Sequence, residues 1–461
     1  MTIQLRKPIL VTGLGLSFLL WLGDSLRHSF MDMGEWTLLG LIATGGGFWL
    51  LQKRNNKPIN LTQPLLPIEQ AEVEKAIEQT NCIVSLIETE SPNQDIRQLK
   101  EAIANLPNLR QKENFSLAIT GSKQAGKTSL KQLLGDVERL EIIKDIETDN
   151  LDISTLTTDL VLFLVSGDLS DSQWQIVRNL RESRHRLLLV FNKQDRYTPE
   201  ERIYIAKQLQ QRVSEVIIPE DIVSITTVPN AIKVRQQQQD GSIKEWMEQP
   251  PAEIDSLTSR LASILTQEKE QILLGTTWRE TVKLKQQAKT ILNDVRRDRA
   301  LPIIEQYQWI AAGAAFANPV AALDLLATAA VTGQMIVDLS GVYQQKFSLA
   351  QGQTAASNIG KLMVQLGLVE LATNAIAGIL KSNAFTYAAG GALQGISAAY
   401  LTRIAGLSLV AYFQEQEVSL DPNAGFNLER LTAKLKEVFQ DNQRIAFLQS
   451  FVRQGIARFS V

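Results

Sequence analysis

Cysteine and histidine are nearly missing from this chain: one cysteine, Cys82, and two histidines, His28 and His185, among 461 residues. A lone cysteine excludes an intrachain disulfide framework and suits a reducing compartment. Two isolated histidines argue against a His-rich metal site, and each reads as a surface polar residue. Excess charge is missing too: 47 Lys and Arg stand against 49 Asp and Glu, a formal net charge of -2, so nucleic acid is not expected as the main partner. One local absence matters later, because no glycine lies between Glu141 and Asp159.

What is present begins with length enough for two or three domains and 44% hydrophobic residues, slightly apolar for a soluble protein. The most informative stretch is Phe115 to Leu134, FSLAITGSKQAGKTSLKQLL. Phe115 to Thr120 is a short apolar run suited to a buried parallel strand, and Leu130, Leu133 and Leu134 fall on one side of a following helix. Between them Gly121, Gly126, Lys127 and Thr128 fit G-x-x-x-x-G-K-[ST], a loop whose backbone amides and helix N-terminus surround phosphate oxygens. Gly121, Ser122, Lys123, Gln124, Ala125, Gly126, Lys127, Thr128 and Ser129 are therefore the expected phosphate-binding residues. Lys127 would reach the β- and γ-phosphates, and the Thr128 hydroxyl would take one Mg²⁺ position.

Further strands are expected at Leu140 to Ile146, Leu160 to Val165 and Arg186 to Phe191, with a helix over Ser172 to Arg181. Strands alternating with helices imply a parallel sheet with ligands at the strands' carboxyl ends. There Asn192, Lys193, Gln194 and Asp195 follow an apolar strand as N-K-x-D. A carboxylate in Asp195 accepts from the N1–H and exocyclic amine of guanine, whereas adenine offers an acceptor at N1. Asn192 would bridge the base and the loop, and the Lys193 stem would lie over the base.

Together these motifs resemble the small-GTPase superfamily, particularly its Era- and TrmE-like branch. The resemblance implies a P-loop G domain binding GTP or GDP with Mg²⁺, and it places the last base-contacting loop at Thr226 and Thr227. The chain departs from that branch in one respect: its D-x-x-G cannot occur in the glycine-free interval. Asp145 or Asp149 stands nearest to the metal-side carboxylate and Thr148 to the switch threonine, while Gln124 replaces an Asn linked in that branch to a monovalent cation. Phosphoryl transfer needs a held nucleotide, metal neutralisation and an oriented water. Only the first is well represented, so hydrolysis of GTP to GDP and phosphate stays open.

Two uncharged apolar runs, Pro8 to Gly23 and Trp36 to Leu51, flank a short polar loop near the N-terminus and read as a transmembrane hairpin. Each is about 24 Å long as a helix, short for a core of about 30 Å, so the flanks would snorkel. Arg6 and Lys7 before the first run, and Lys53, Arg54 and Lys57 after the second, place both termini and the G domain in the cytoplasm. A cleaved signal peptide is the competing reading, with a poor cleavage site.

The remainder is expected to be helical. Residues 58–113 read as an amphipathic linker or a partly ordered spacer, 114–240 as the G domain ending in a Gln236–Gly241 loop, and 241–300 as connecting helices. Residues 301–461 read as an Ala/Gly-rich all-α region with an amphipathic end. Three apolar runs there, Trp309 to Val331, Leu362 to Leu380 and Phe385 to Phe413, have membrane-spanning length. They carry Asp324, Glu370 and Arg403, which favours helices packed against each other. The charge runs Glu268 to Glu270 and Arg296 to Arg299 read as solvated faces. Ala317-Asn318-Pro319, Asp324, Met335-Ile336 and Tyr343 resemble the YcjF-like domain of unknown function, which implies membrane association and no known chemistry. The expected protein is a membrane-anchored GTP-binding switch with slow turnover. The alternative is an inactive guanine-nucleotide-binding scaffold, and a homo-oligomer or membrane-protein partner suits either.

Overall fold

A computed structural model describes residues 67–135, 140–147, 153, 156–237, 243–317, 321–345, 347–382, 389–415 and 427–459. The expected hairpin at 1–57, Asn318 and Pro319 of the YcjF-like signature, Thr148 and Asp149 lie outside the described residues. By its contacts the chain divides into Pro67–Gln211 with Pro219–Val461, and Met1–Leu66 with Arg212–Ile218. Of the second unit Arg212–Ile218 is described, a helix end and a turn in which Val216 and Ile217 donate to the Val213 carbonyl. Everything below concerns the first unit.

Its sheet consists of β1 (Phe115–Gly121), β2 (Leu140–Glu147), β3 (Leu160–Val165), β4 (Arg186–Phe191) and β5 (Ile222–Ser224), in the order β2-β1-β3-β4-β5. Every neighbouring pair is parallel. Continuous apolar runs explain this, since β1 and β3 are buried along their whole length and must be covered on both faces. From β1 the chain adds β2 on one side and then β3 on the other. The strand order therefore reverses at β1, and the crevice beyond the carboxyl ends opens there.

In chain order the helices before and among these strands are α1 (Gln70–Glu90), α2 (Arg97–Ala104), α3 (Leu106–Leu109), α4 (Lys127–Leu134), α5 (Asp171–Glu182) and α6 (Pro199–Val213). An antiparallel hairpin, β6 (Ile232–Gln237) with β7 (Ile243–Glu248), leaves the nucleotide region. Gln236 and Gln237 thus belong to a strand, which corrects the expected loop at its start. Next comes α7 (Asp255–Gln267), whose Leu257, Leu261 and Ile264 fill the core between sheet and helix.

The helical region is built on α8 (Lys269–Ala317), a 49-residue helix that passes through residue 300 without a break. After it come α9 (Ala321–Val342), α10 (Leu349–Gln365), α11 (Leu368–Ser382), α12 (Ala389–Glu415), α13 (Leu428–Asn442) and α14 (Ile445–Phe459); α9 and α12 pack against α8, α10 against α9, α11 and α13 against α12, and α14 against α11 and α12. Small residues allow close approach: a Cβ on Gly406 would stand 2.7 Å from Ile304 Cγ1, and one on Gly352 2.6 Å from the Gly333 carbonyl oxygen. The second apolar run is two helices, α10 and α11, meeting at 68° with Gly367 at φ +68° between them. Among the described residues one helix is long and apolar enough to cross a membrane, Gly391–Glu415, and 72% of its apolar window is buried inside the protein.

Residues 67–113 are a packed element, not a spacer. Val73 sits against Leu274, and Ile83, Ile87, Leu99 and Ile103 close on Leu284, Ala288 and Leu292 of α8. The two charge runs are also only partly solvated. Glu268 joins Arg186, Arg260 and Asp221 in a half-buried network, and Arg296 is buried against Glu90. Their partners lie far along the chain, so no local pattern announced them.

Candidate functional site

The loop after β1 is shaped by two glycines that no other residue can replace without strain. Gly121 has φ +140°, and a Cβ there would lie 2.1 Å from the Leu164 carbonyl oxygen on β3. Gly126 has φ +96°, and its Cβ would lie 2.3 Å from Asn192 Nδ2. Gln124 between them also takes positive φ, 60°. The chain is thereby folded back on itself before α4, in which Lys127, Thr128 and Ser129 are the first three residues. That aims the first N–H groups of the helix at the loop's interior.

Lys127 is buried at 8% exposure and donates to the carbonyls of Gly121 (3.2 Å) and Ser122 (2.9 Å), which closes the loop into a ring. Among the described residues no carboxylate pairs with it, so its charge faces the loop uncompensated. The Ser122 amide donates to the Leu164 carbonyl, and the Ser122 hydroxyl accepts from Gln173 Nε2 at 2.7 Å. Gln173 escaped the sequence reading as a site residue. Its signal was the S-x-x-Q capping box formed with Ser170 at the start of α5, which also fixes the side chain's direction.

Asn192 is fully buried and ties three segments together. Its Nδ2 donates to the Ala125 carbonyl (2.7 Å) and to Thr227 Oγ1 (2.9 Å), and its Oδ1 accepts from the amides of Lys193 (2.8 Å) and Thr227 (3.0 Å). Lys193 turns through φ 63° into a 3₁₀ turn over Gln194–Arg196. Burial first, then the Arg196 charge, holds the Lys193 ammonium below its ordinary pKa. Asp195 Oδ2 accepts from the Asn230 amide at 3.0 Å, while its Oδ1 is buried with no partner among the described residues. Thr226 exchanges both backbone hydrogen bonds with Glu253, and its Oγ1 is buried without a partner.

The structure thus gathers Gly121 to Ser129, Asn192 to Asp195 and Thr226–Thr227 at the carboxyl ends of β1, β4 and β5. It adds Gln173, Asn230 and Glu253, which position them. For the metal-side carboxylate less can be placed. Asp145 lies on β2 in register with Ile119, and Asp149 is outside the described residues. Among the described residues no cluster of three His, Cys, Asp or Glu side chains forms a metal site.

Two buried groups beside the site are structural. Asp159 is wholly buried and receives Lys112, the Ser116 amide and hydroxyl, and Thr276 of α8. Burial alone raises its carboxyl pKa, but the Lys112 and Ser116 hydrogen bonds with the Lys112 charge outweigh it, so the value lies below the ordinary one. His185, expected on the surface, is 1% exposed, with its Nε2 3.2 Å from the Leu156 carbonyl and its Nδ1 unpartnered. Burial, then the nearby Arg279 charge, pushes its pKa down to about 4. It stays neutral because the surrounding apolar packing offers a proton no solvation.

With this geometry in hand, comparison with known proteins gives three findings. Residues 279–444 match a family model described as a domain of unknown function, DUF697. That stretch takes in α8 from Arg279 onward. No curated protein matches the chain. Among solved structures, the LeoA bacterial dynamin GTPase from ETEC is similar at 14% identity over 84% of this chain and 98% of that one, with a TM-score of 0.26. A structure described as an oligomerised bacterial dynamin pair, providing a mechanism for long-range sensing and tethering of membranes, is similar at 13% identity over 85% and 80%, with a TM-score of 0.22. Likenesses at those scores carry no argument, and the functional reading rests on the chain's own residues.

Proposed function

We propose that this chain is a membrane-anchored guanine-nucleotide-binding protein whose site is the crevice between the loop Gly121–Ser129 and the turn Asn192–Asp195. The observation that carries the reading is the pairing of two features. Asn192 clamps the loop to Thr227 through three hydrogen bonds, and beside it Asp195 keeps one buried carboxylate oxygen without a partner among the described residues. A buried acceptor left open is costly unless a ligand completes it, and guanine offers the two donors that match. Lys127 would exchange its carbonyl partners for the β- and γ-phosphate oxygens, the α4 amides would hold the phosphates, and the Thr128 hydroxyl would ligate Mg²⁺. Bound Mg²⁺ supplies neutralisation of phosphate charge.

The interval from Glu141 to Asp159 has no glycine whose amide could sense a γ-phosphate, so hydrolysis should be slow. That same observation favours a second reading, a scaffold in which nucleotide stabilises the assembly without hydrolysis. The N-terminal runs Pro8–Gly23 and Trp36–Leu51 would anchor the chain, with the nucleotide domain on the cytoplasmic side.

Titration of the purified full chain with fluorescent GTP, GDP and ATP tests the binding, followed by single-turnover hydrolysis with Mg²⁺. GTP and GDP should bind and ATP should not. Lys127→Ala should weaken GTP by about 100-fold, the scale of losing a charge-assisted hydrogen bond. Asp195→Asn should remove the guanine preference. Unchanged GTP affinity in Lys127→Ala would overturn the site, and hydrolysis at an ordinary GTPase rate would overturn the claim of slow turnover.

A further inference from the structure

The hairpin β6–β7 stands apart from every other element of the fold. It forms a sheet of its own, and its residues are exposed on both faces, with only Val234 half-buried. Ile232 is 53% exposed, Ile243 64% and Met247 64%, and Trp246 is also exposed. Two strands alone are marginally stable in water, and each edge offers an unpaired row of N–H and C=O groups. A third strand added at either edge would relieve both problems.

Charge decides which edge and which strand. In an antiparallel pair related by a two-fold axis, the axis is perpendicular to the sheet, so residues facing each other share a face and their numbers sum to an even value. On β6, centring the pair at Lys233, Val234 or Arg235 sets a cation against a cation, Lys233 or Arg235 against itself or each other. Centring on Ile232, Gln236 or Gln237 avoids this but pairs three residues of the strand or fewer, so over most of its length that edge repels its own copy. On β7, centring on Lys244 or Glu245 opposes like charges, and centring on Met247 faces Glu248 with Trp246. Centring on Trp246 is different: Lys244 faces Glu248 twice, Trp246 meets Trp246, and no like charges are opposed.

The charges needed are available. Within the hairpin Lys244 lies opposite Gln236 and Glu248 opposite Ile232, and neither has an ion-pair partner among the described residues. Glu245, on the other face, is already taken by Lys233 and Arg235. The Trp246 indoles would be flanked by Val234 from each copy, giving the row Val234–Trp246–Trp246–Val234 an apolar centre.

We propose that the β7 edge pairs with the β7 edge of a second copy of this chain, in the register centred on Trp246, making one four-stranded antiparallel sheet across a two-fold axis. This inference does not depend on nucleotide binding. It does place the dimer contact one short connection away from the site, because Asn230, two residues before β6, holds Asp195.

The test is a charge swap on the full-length chain in detergent, with the dimer constant read by sedimentation equilibrium. Wild type should dimerise. Lys244→Glu and Glu248→Lys should each weaken the dimer by about tenfold, since each turns two attractive pairs into two repulsive ones. The double variant K244E/E248K should restore it, which loss of folding could not mimic, and the melting temperature of each monomer should stay at the wild-type value. Wild-type chain that stays monomeric at tens of micromolar overturns the proposal. So do single variants that dimerise as tightly as wild type, or a double variant no tighter than the weaker single. A monomeric wild type that binds anionic vesicles, with K244E binding them more weakly, would assign the exposed face to lipid instead.

Discussion

The nucleotide region and the helical region spend their buried polar groups in opposite ways. Around β1, β3 and β4 the buried polar side chains form closed sets with long-range partners: Asn192 across the loop, Asp159 between Lys112, Ser116 and Thr276, Asp221 between Arg186 and Arg260. In the helical region buried hydroxyls such as Ser408 and Ser340 bond their own helix, at Ile404 and Val337, Tyr400 reaches another helix at Asn442, and the contacts between helices are mostly apolar. The first arrangement fixes positions to fractions of an ångström, which a ligand site needs. The second fixes only which faces meet, which lets helices repack at small cost.

The largest effect that would sharpen this contrast is expected at the seam. Asp159→Ala strands Lys112, Ser116 and Thr276 together, and Thr276 belongs to α8, so it should cost about 3–5 kcal/mol in chemical denaturation. Both regions should then melt together. Separate transitions, with the helical region unaffected, would show that the seam is not shared. Because the Asp159 carboxyl is held below its ordinary pKa, the stability it contributes is present above that ordinary value and is lost as pH falls through the lowered one.

A somewhat smaller effect comes from His185. Its pKa falls from 6.5 to about 4 on folding, so between those values the unfolded chain binds a proton that the folded chain refuses. Stability should be full above pH 6.5 and decline by about 3 kcal/mol as pH drops to 4. His185→Gln should flatten that slope, measured by denaturant midpoint against pH. A slope unchanged in the variant would mean the histidine is solvated. This locates the acid sensitivity in the nucleotide region, since the other histidine, His28, is far along the chain.

The smallest effects compare like with like. Ser170 and Ser348 both form capping boxes, with Gln173 and Gln351, one in each region. Alanine at either should cost about 1 kcal/mol. Only Ser170→Ala should also loosen nucleotide binding, because only Gln173 reaches on to Ser122 of the loop. Equal binding in the two variants would mean that Gln173 holds nothing but its helix.

Much of the nucleotide region was legible in the residues. The expected strands Leu160–Val165 and Arg186–Phe191 match β3 and β4 end to end, because a strand buried on both faces must be apolar throughout and bounded by polar residues. The loop glycines were legible for a related reason, since positive φ and contact with Leu164 and Asn192 leave no room for a side chain. The reading failed where a residue's partner was distant. His185 and Arg296 look like surface residues locally, yet the first is buried beside Leu156 and Arg279 and the second against Glu90. The Gln-rich start of the expected loop became β6 because strand pairing with β7 overrode weak local preference.

By itself the sequence determined the parts that depend on local chemistry: the phosphate-type loop, the N-K-x-D turn, the apolar strands and the predominantly helical character of the described residues after Asp255. The tertiary structure decided what those parts could not state alone. It showed that residues 67–113 pack along α8, that the second apolar run is two helices meeting at 68°, and that most of the Gly391–Glu415 span is enclosed by other helices. It also showed that Asp195 keeps one buried oxygen open. The physical reason is the same in each case. Periodicity reports which face of an element is apolar, whereas burial and hydrogen-bond completion depend on the face brought against it by the rest of the chain.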